Sequence, residues 1–376
     1  MNSTRLENIA PAKSIVINQK VYEKRRNGQD VTVLSLGEAY FSIPDFGFNE
    51  LDHNVGYHYS DSQGMPELRD RIEEYYKYNN NISVSKDNII ISAGSKALTL
   101  NYMLGILNSN DEVLLHEPAW LSYEDQAKLC DATVTYIPYK EEISSFEKYF
   151  TDKTKLIVIN NPNNPSGLIY KHEELRRLIE LANINGIYVL VDEAYSDFIS
   201  DSFKSAAEWI NEFDNLCVIN SMSKNFGMSG WRIGYAIAND KIIKSLTVLN
   251  QHTITCAPTI LQMYFSKYMK EIYNICKPQL RELINKRKKV ESLLHKYDIP
   301  YLEGSATFYF FIDISKSKYS GDDLSVILMD EHSIATVPGS AYGKTTGKFL
   351  RVSIGTESFE KIDNALKIIS EYLKNE

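Results

Sequence analysis

From about Asn88 the chain alternates short, continuously apolar runs with longer stretches of helical period. The runs are IIIS (89–92), EVLLH (112–116), TVTYI (133–137), KLIVIN (155–160), YVLVDE (188–193), CVINS (217–221) and GYAIA (234–238). Strands without polar alternation are buried on both faces. Seven of them, separated by helices, predict a mostly parallel, seven-stranded, doubly wound α/β sheet. Upstream, Lys13 to Arg26 reads as one amphipathic helix. After about Thr259 the character shifts. Residues 259–297 are charged and helical in period, with an interruption expected at Pro278. Strand candidates FYFFID (308–313), IATVPG (334–339) and FLRVSI (349–354) follow, then a last helix from about Glu357.

A chain of 376 residues exceeds the usual single core and should divide. The expected organisation is a large domain at 45–258, a smaller α+β domain at 259–376, and an N-terminal segment, 1–44, packing on the small domain. A net charge of -8 argues against nucleic-acid and membrane-surface partners, which reward basic patches. No run approaches the ~18 apolar residues that a bilayer span needs. MNSTRLENIAPAKS has no apolar stretch of signal-peptide length. Cys130, Cys217, Cys256 and Cys276 form no CxxC pair or Cys/His cluster, so no metal site is expected. Reduced thiols and a cytoplasmic location are the expectation.

In a parallel α/β sheet, ligands bind beyond the carboxyl ends of the strands, so the residues just after each run carry the chemistry. After IIIS, Gly94-Ser95-Lys96 opens a helix, which suits a phosphate; a plain N-cap by Ser95 explains the same residues. After EVLLH, Trp120 is either core or a face offered to an aromatic cofactor. After KLIVIN, NPNNPSG (161–167) makes a rigid turn, which does not itself require Asn164. After YVLV, Asp192 is either a capping acid or a buried anion held for a cationic ligand atom. After CVINS, Lys224 sits in a Ser/Gly-rich loop with Arg232 eight residues on. A surface lysine is the bland account. A desolvated lysine with a lowered pKa suits Schiff-base chemistry, and Arg232 offers a fork to a phosphate or carboxylate.

Taken together and in this order, these segments resemble the fold-type I pyridoxal-phosphate (PLP) enzymes, specifically the class I/II aminotransferases. The resemblance runs from Leu36-Gly37-Glu38 to Arg351, and its most specific segment is SMSKNFGMSGWRIGY (221–235), with DEAY and NNPNNPSG close behind. It implies that Lys224 carries PLP and that Asp192 pairs with the pyridinium nitrogen. Tyr195 and Asn164 would meet the phenolic oxygen, and Trp120 would stack on the ring. Ser95 and Lys96 amides, Ser221, Ser223 and Arg232 would hold the phosphate, with Tyr59 donated across a homodimer interface. Arg351 would grip the substrate α-carboxylate beside Gly37, whose missing Cβ admits it. The implied activity moves an amino group between an amino acid and a 2-oxo acid, with Lys224 as general base and acid.

Three segments depart from the family pattern. LGEAYFSIP places Ala39 and Tyr40 where substrate side chains are often sensed. QHTITCAP (251–258) matches a dimer loop loosely. EGSATFYFF (303–311) carries one extra residue before its FY core. Tyr40, Trp120 and Phe308 suggest room for an apolar or aromatic side chain. The same residues would also serve a β-eliminating C–S lyase or a synthase. A non-catalytic PLP-binding sensor would carry an appended DNA-binding domain, for which the chain has no room. A nucleotide-binding reading lacks both GxGxxG and GxxxxGK[ST].

Overall fold

The computed structural model of the chain describes residues 3–200 and 203–374. Twelve strands occur among them. They are β1 (Thr32–Val33), β2 (Ile89–Ser92), β3 (Glu112–His116), β4 (Thr133–Ile137), β5 (Thr154–Asn160), β6 (Tyr188–Asp192), β7 (Leu216–Ser221), β8 (Gly234–Ala238), β9 (Tyr309–Asp313), β10 (Ile334–Ala335), β11 (Val337–Pro338) and β12 (Phe349–Ser353).

The seven apolar runs form one sheet in the order β2-β8-β7-β6-β5-β3-β4. All its pairings are parallel except those of β8, which runs antiparallel to β2 and β7. Burial on both faces explains the missing alternation: every residue of β2, β7 and β8 is buried. The helix His172–Ile184 covers one face with Leu175, Leu178, Ile179 and Ala182, spaced as one helical stripe.

β9, β12 and β11 make a small antiparallel sheet in the order β11-β12-β9. The expected strand at 334–339 is two pieces. β10 pairs in parallel with β1, a strand too short to stand out in the sequence, while β11 joins β12. The helix Lys13–Arg26 forms as expected, but only Val21 of it is buried, packing near Val33, Met329 and Ala335. The face expected to be apolar is therefore largely uncovered in this chain.

Pro278 does not interrupt the long helix, which runs unbroken over Thr259–Lys296. An internal proline costs about 3 kcal/mol. Cys276, Leu280 and Leu283 are buried on either side of it, and each fully buried apolar side chain contributes about 1.5–3 kcal/mol, which offsets that cost. Phe265, Ile272 and Cys276 join the core around the large sheet, whereas Leu280, Leu283, Val290 and Leu294 join the core around the small one. One helix thus ties both cores together. The last helix is Phe359–Lys374.

Candidate active site

The strands β3, β5, β6 and β7 end on one edge of the sheet, and the polar residues that follow them converge there. Asp192 is the last residue of β6 and is 6% exposed. Its Oδ2 accepts from Tyr123 Oη at 2.6 Å and its Oδ1 from the Ala194 amide at 3.0 Å. Burial raises its pKa, opposed by these two donors and by the charge of Lys224. Every hydrogen-bond donor it meets is neutral, which leaves its oxygens able to take a cationic partner.

Lys224 follows β7 and is half-buried. Its Nζ donates to the Gly37 carbonyl and lies 6.0 Å from the centre of the Tyr195 ring. Burial above all, with the charges of Arg351 and Arg232 and against those of Glu38 and Asp192, pushes the amine down to about 8. About a tenth of it is neutral at pH 7, far more than for an ordinary lysine, which suits attack on a carbonyl.

The β5 turn is fixed by its own side chains. Asn160 Oδ1 accepts from the Asn164 amide at 2.6 Å, and Asn163 Nδ2 donates to the Pro118 carbonyl at 3.0 Å. This aims Asn164, whose Nδ2 donates to Tyr195 Oη at 3.4 Å and whose Oδ1 accepts from Arg351 at 3.3 Å. Arg351 lies mid-β12 and is 4% exposed. It donates to the Ser35 carbonyl at 2.6 Å, and its Nε has no hydrogen-bond partner. Ser35 and Gly37, two residues apart on one extended segment, thus anchor the two cations Arg351 and Lys224.

At the sheet edge next to β8, Gly94 precedes the helix Ser95–Ile106 with φ +90°, a conformation that favours glycine. Gly94, not Ser95, is the N-cap, and no side chain caps the helix start; the capping account of Ser95 is therefore corrected. A Cβ on Gly234 would collide with the Gly94-Ser95 backbone, so β8 can pass close beneath this turn only as glycine. The Ser223 amide donates to Ser221 Oγ at 3.0 Å. Arg232, at φ +57°, donates to the Ser229 carbonyl at 2.7 Å and lies 3.5 Å from Ser223 Oγ. A helix N-terminus, two serines and an arginine make an anion-binding edge. Lys96 Nζ stands 4.9 Å from the Trp120 ring centre, its pKa lowered by burial and by Arg232.

Not every expected residue joins this group. Tyr40 is 68% exposed and shares its surroundings with Tyr22 and Arg25 of the N-terminal helix, as well as Glu38. Tyr59 is 85% exposed. Phe308 is fully buried, packing on Tyr195 and Phe198. Its neighbour Tyr309 points instead into the site: Tyr309 Oη is 2.9 Å from Tyr195 Oη, and its ring lies 4.6 Å from the Arg351 guanidinium. Strand alternation separates 308 from 309, but sequence gave no reason to prefer one. Tyr123 was also missed. Its signal was its place three residues after Trp120, at the start of the helix Ser122–Leu129.

Among the described residues no acidic, His or Cys cluster could hold a metal ion, and no helix is long and apolar enough to cross a membrane.

The sequence profile of the family "Aminotransferase class I and II" matches residues 38–369. The chain is 31% identical to an aspartate aminotransferase of Thermotoga maritima, covering 100% of each. It is 28% identical to aromatic-amino-acid aminotransferase 2 of Thermococcus litoralis, covering 99% of this chain and 98% of that one. Among solved structures, the aspartate aminotransferase of Thermus thermophilus with maleate superposes with a TM-score of 0.90 at 26% identity, covering 99% of each chain.

Proposed function

The chain belongs to the class I and II aminotransferases, a family that uses pyridoxal phosphate; from that premise we propose that Lys224 is the lysine that carries the cofactor and that Arg351 receives the substrate carboxylate. The carrying observation is a trio: a desolvated Lys224 amine and a buried Asp192 met only by neutral donors at the carboxyl edge of the large sheet, and, reaching Asn164 from the small sheet, an Arg351 with an unpartnered Nε.

The residues fit the group. Asp192 would hold a proton on the ring nitrogen, which would satisfy its own buried charge. Tyr195 and Asn164 would meet the phenolic oxygen, and Trp120 would lie against the ring. The Ser95 and Lys96 amides, Ser221, Ser223 and Arg232 would take the phosphate. When bound, pyridoxal phosphate supplies the aldehyde that condenses with a substrate amine and the ring that draws electrons from Cα.

The chain's own residues do the rest. Arg351 and Asn164 fix the α-carboxylate near Gly37, where no Cβ intervenes. Lys224 Nζ would take the proton from the substrate Cα as base and give it up again as acid. Its lowered pKa keeps the amine available as a base. Tyr59, exposed here, serves the phosphate of a second copy in a homodimer. The names of the relatives make L-aspartate and aromatic amino acids the first donors to try.

The test is an absorption spectrum of the holoenzyme before and after single amino acids, with no acceptor. Bleaching by one amino acid, with its 2-oxo acid released, supports this reading and names the donor. An unbleached chromophore with pyruvate and ammonia appearing would mean elimination instead.

A further inference from the structure

Arg351 is flanked by two tyrosines that reach it by different routes. Tyr309 comes from β9, the neighbouring strand of the same small sheet. Tyr342 comes from the loop after β11; it is fully buried, and its ring lies 5.5 Å from the guanidinium. Its hydroxyl has no hydrogen-bond partner.

The Tyr342 loop is fastened to the large sheet by one side chain. Glu117, directly after β3, is 1% exposed. Its Oε1 accepts from the Lys344 and Thr345 amides, the latter at 3.1 Å, and its Oε2 accepts from the Thr345 hydroxyl. Two residues on, the Ala119 amide donates to the Tyr342 carbonyl at 2.8 Å. A Cβ on Gly343 would stand 2.5 Å from Glu117 Oε1, so the loop can approach this closely only as glycine. A carboxylate this buried is costly unless its oxygens are met by donors. Here all three come from residues 344–345, as charge-assisted bonds, the stronger kind.

We propose that Glu117 is a positioning residue for the substrate-carboxylate subsite: by binding residues 344–345 it keeps Tyr342 against Arg351, and ties that subsite to the Trp120 loop of the large sheet. This rests on the reading of Arg351 given above. The hydrogen bonds of the Glu117 carboxylate go to Lys344 and Thr345, and to none of Lys224, Asp192 and Arg351. Its loss should therefore move substrate affinity and leave the cofactor's surroundings alone.

The experiment uses the holoenzymes of wild type, Glu117→Gln, Thr345→Val and Arg351→Lys. Each is titrated in single turnover with the standard amino acid that converts wild type fastest. The aminated enzyme is then titrated with the matching 2-oxo acid. For Glu117→Gln both half-saturation concentrations rise about tenfold, the scale of one charge-assisted bond. The limiting rate, resting spectrum and cofactor retention stay as in wild type. Thr345→Val, which removes a single hydroxyl donor, shifts the same two quantities in the same direction and decides the matter if Glu117→Gln does not fold. Unchanged half-saturation in the folded variants, or a loss confined to the limiting rate, overturns the proposal. A rise in Arg351→Lys alone overturns it while leaving Arg351's role standing. No rise in Arg351→Lys overturns the underlying reading.

Discussion

Tyr123 Oη lies 2.6 Å from Asp192 Oδ2, with both residues buried beneath the edge where Lys224 sits. The phenol is the only side chain that donates a hydrogen bond to this carboxylate among the described residues. If Asp192 meets the cofactor's ring nitrogen as proposed, this phenol steadies the anion that does so. Tyr123→Phe should weaken cofactor binding about tenfold, the scale of one hydrogen bond to a charged group. An absorption titration of the apoprotein with pyridoxal phosphate measures it. Affinity equal to wild type would remove Tyr123 from the account.

Asp192→Asn keeps the shape and removes the charge. Turnover should fall by at least about a hundredfold, the scale of deleting one electrostatic group from a water-excluded site. Steady-state transamination of the cofactor-loaded variant checks this. A fall of less than about threefold would mean that the ring nitrogen is served elsewhere.

The Lys224 amine of the apoprotein titrates near 8, lowered by burial. Capture of pyridoxal phosphate by the apoprotein should therefore accelerate as pH rises to about 8 and then level off, since only the neutral amine attacks. Between about 8 and the ordinary 10.5 the unfolded chain holds a proton that the folded apoprotein lacks, so this group's contribution to stability improves as pH rises across that window. A capture rate still climbing steeply above pH 9 would place the pKa wrongly.

Glu193, next to Asp192, is fully buried, and burial raises it to about 8; its oxygens meet Ser205 Oγ and the Ala206 amide. Between about 4.5 and 8 the folded protein keeps a proton there that the unfolded chain loses. Stability from this group is thus full below that range and declines as pH rises through it. Glu193→Gln removes the titration. The difference in melting temperature between variant and wild type should grow in the variant's favour from pH 5 to pH 8. A pH-independent difference would mean that Glu193 is ionised in the folded state.

Much of this was legible because the chemistry hangs on strand ends. The continuously apolar runs placed the sheet, and the residues after β5, β6 and β7 placed Asn164, Asp192 and Lys224. What failed to show were relationships made by folding. Tyr309 and Phe308 are alternatives of one pleat, separable only by register against β12. Pro278 looked like a break because the sequence does not display the two cores that hold the helix across it. β1, at two residues, has no period to read. Glu117 is a single acid before a proline, and its partners lie more than two hundred residues away.

We place the cofactor on Lys224. Reduction of the holoenzyme with borohydride fixes the cofactor to whichever lysine carries it, and peptide mass spectrometry then locates the adduct. One pyridoxyl-modified peptide is expected, the one containing Lys224, and none from Lys224→Ala. An adduct on Lys96 or another lysine, or none in wild type while the chromophore is present, would contradict it.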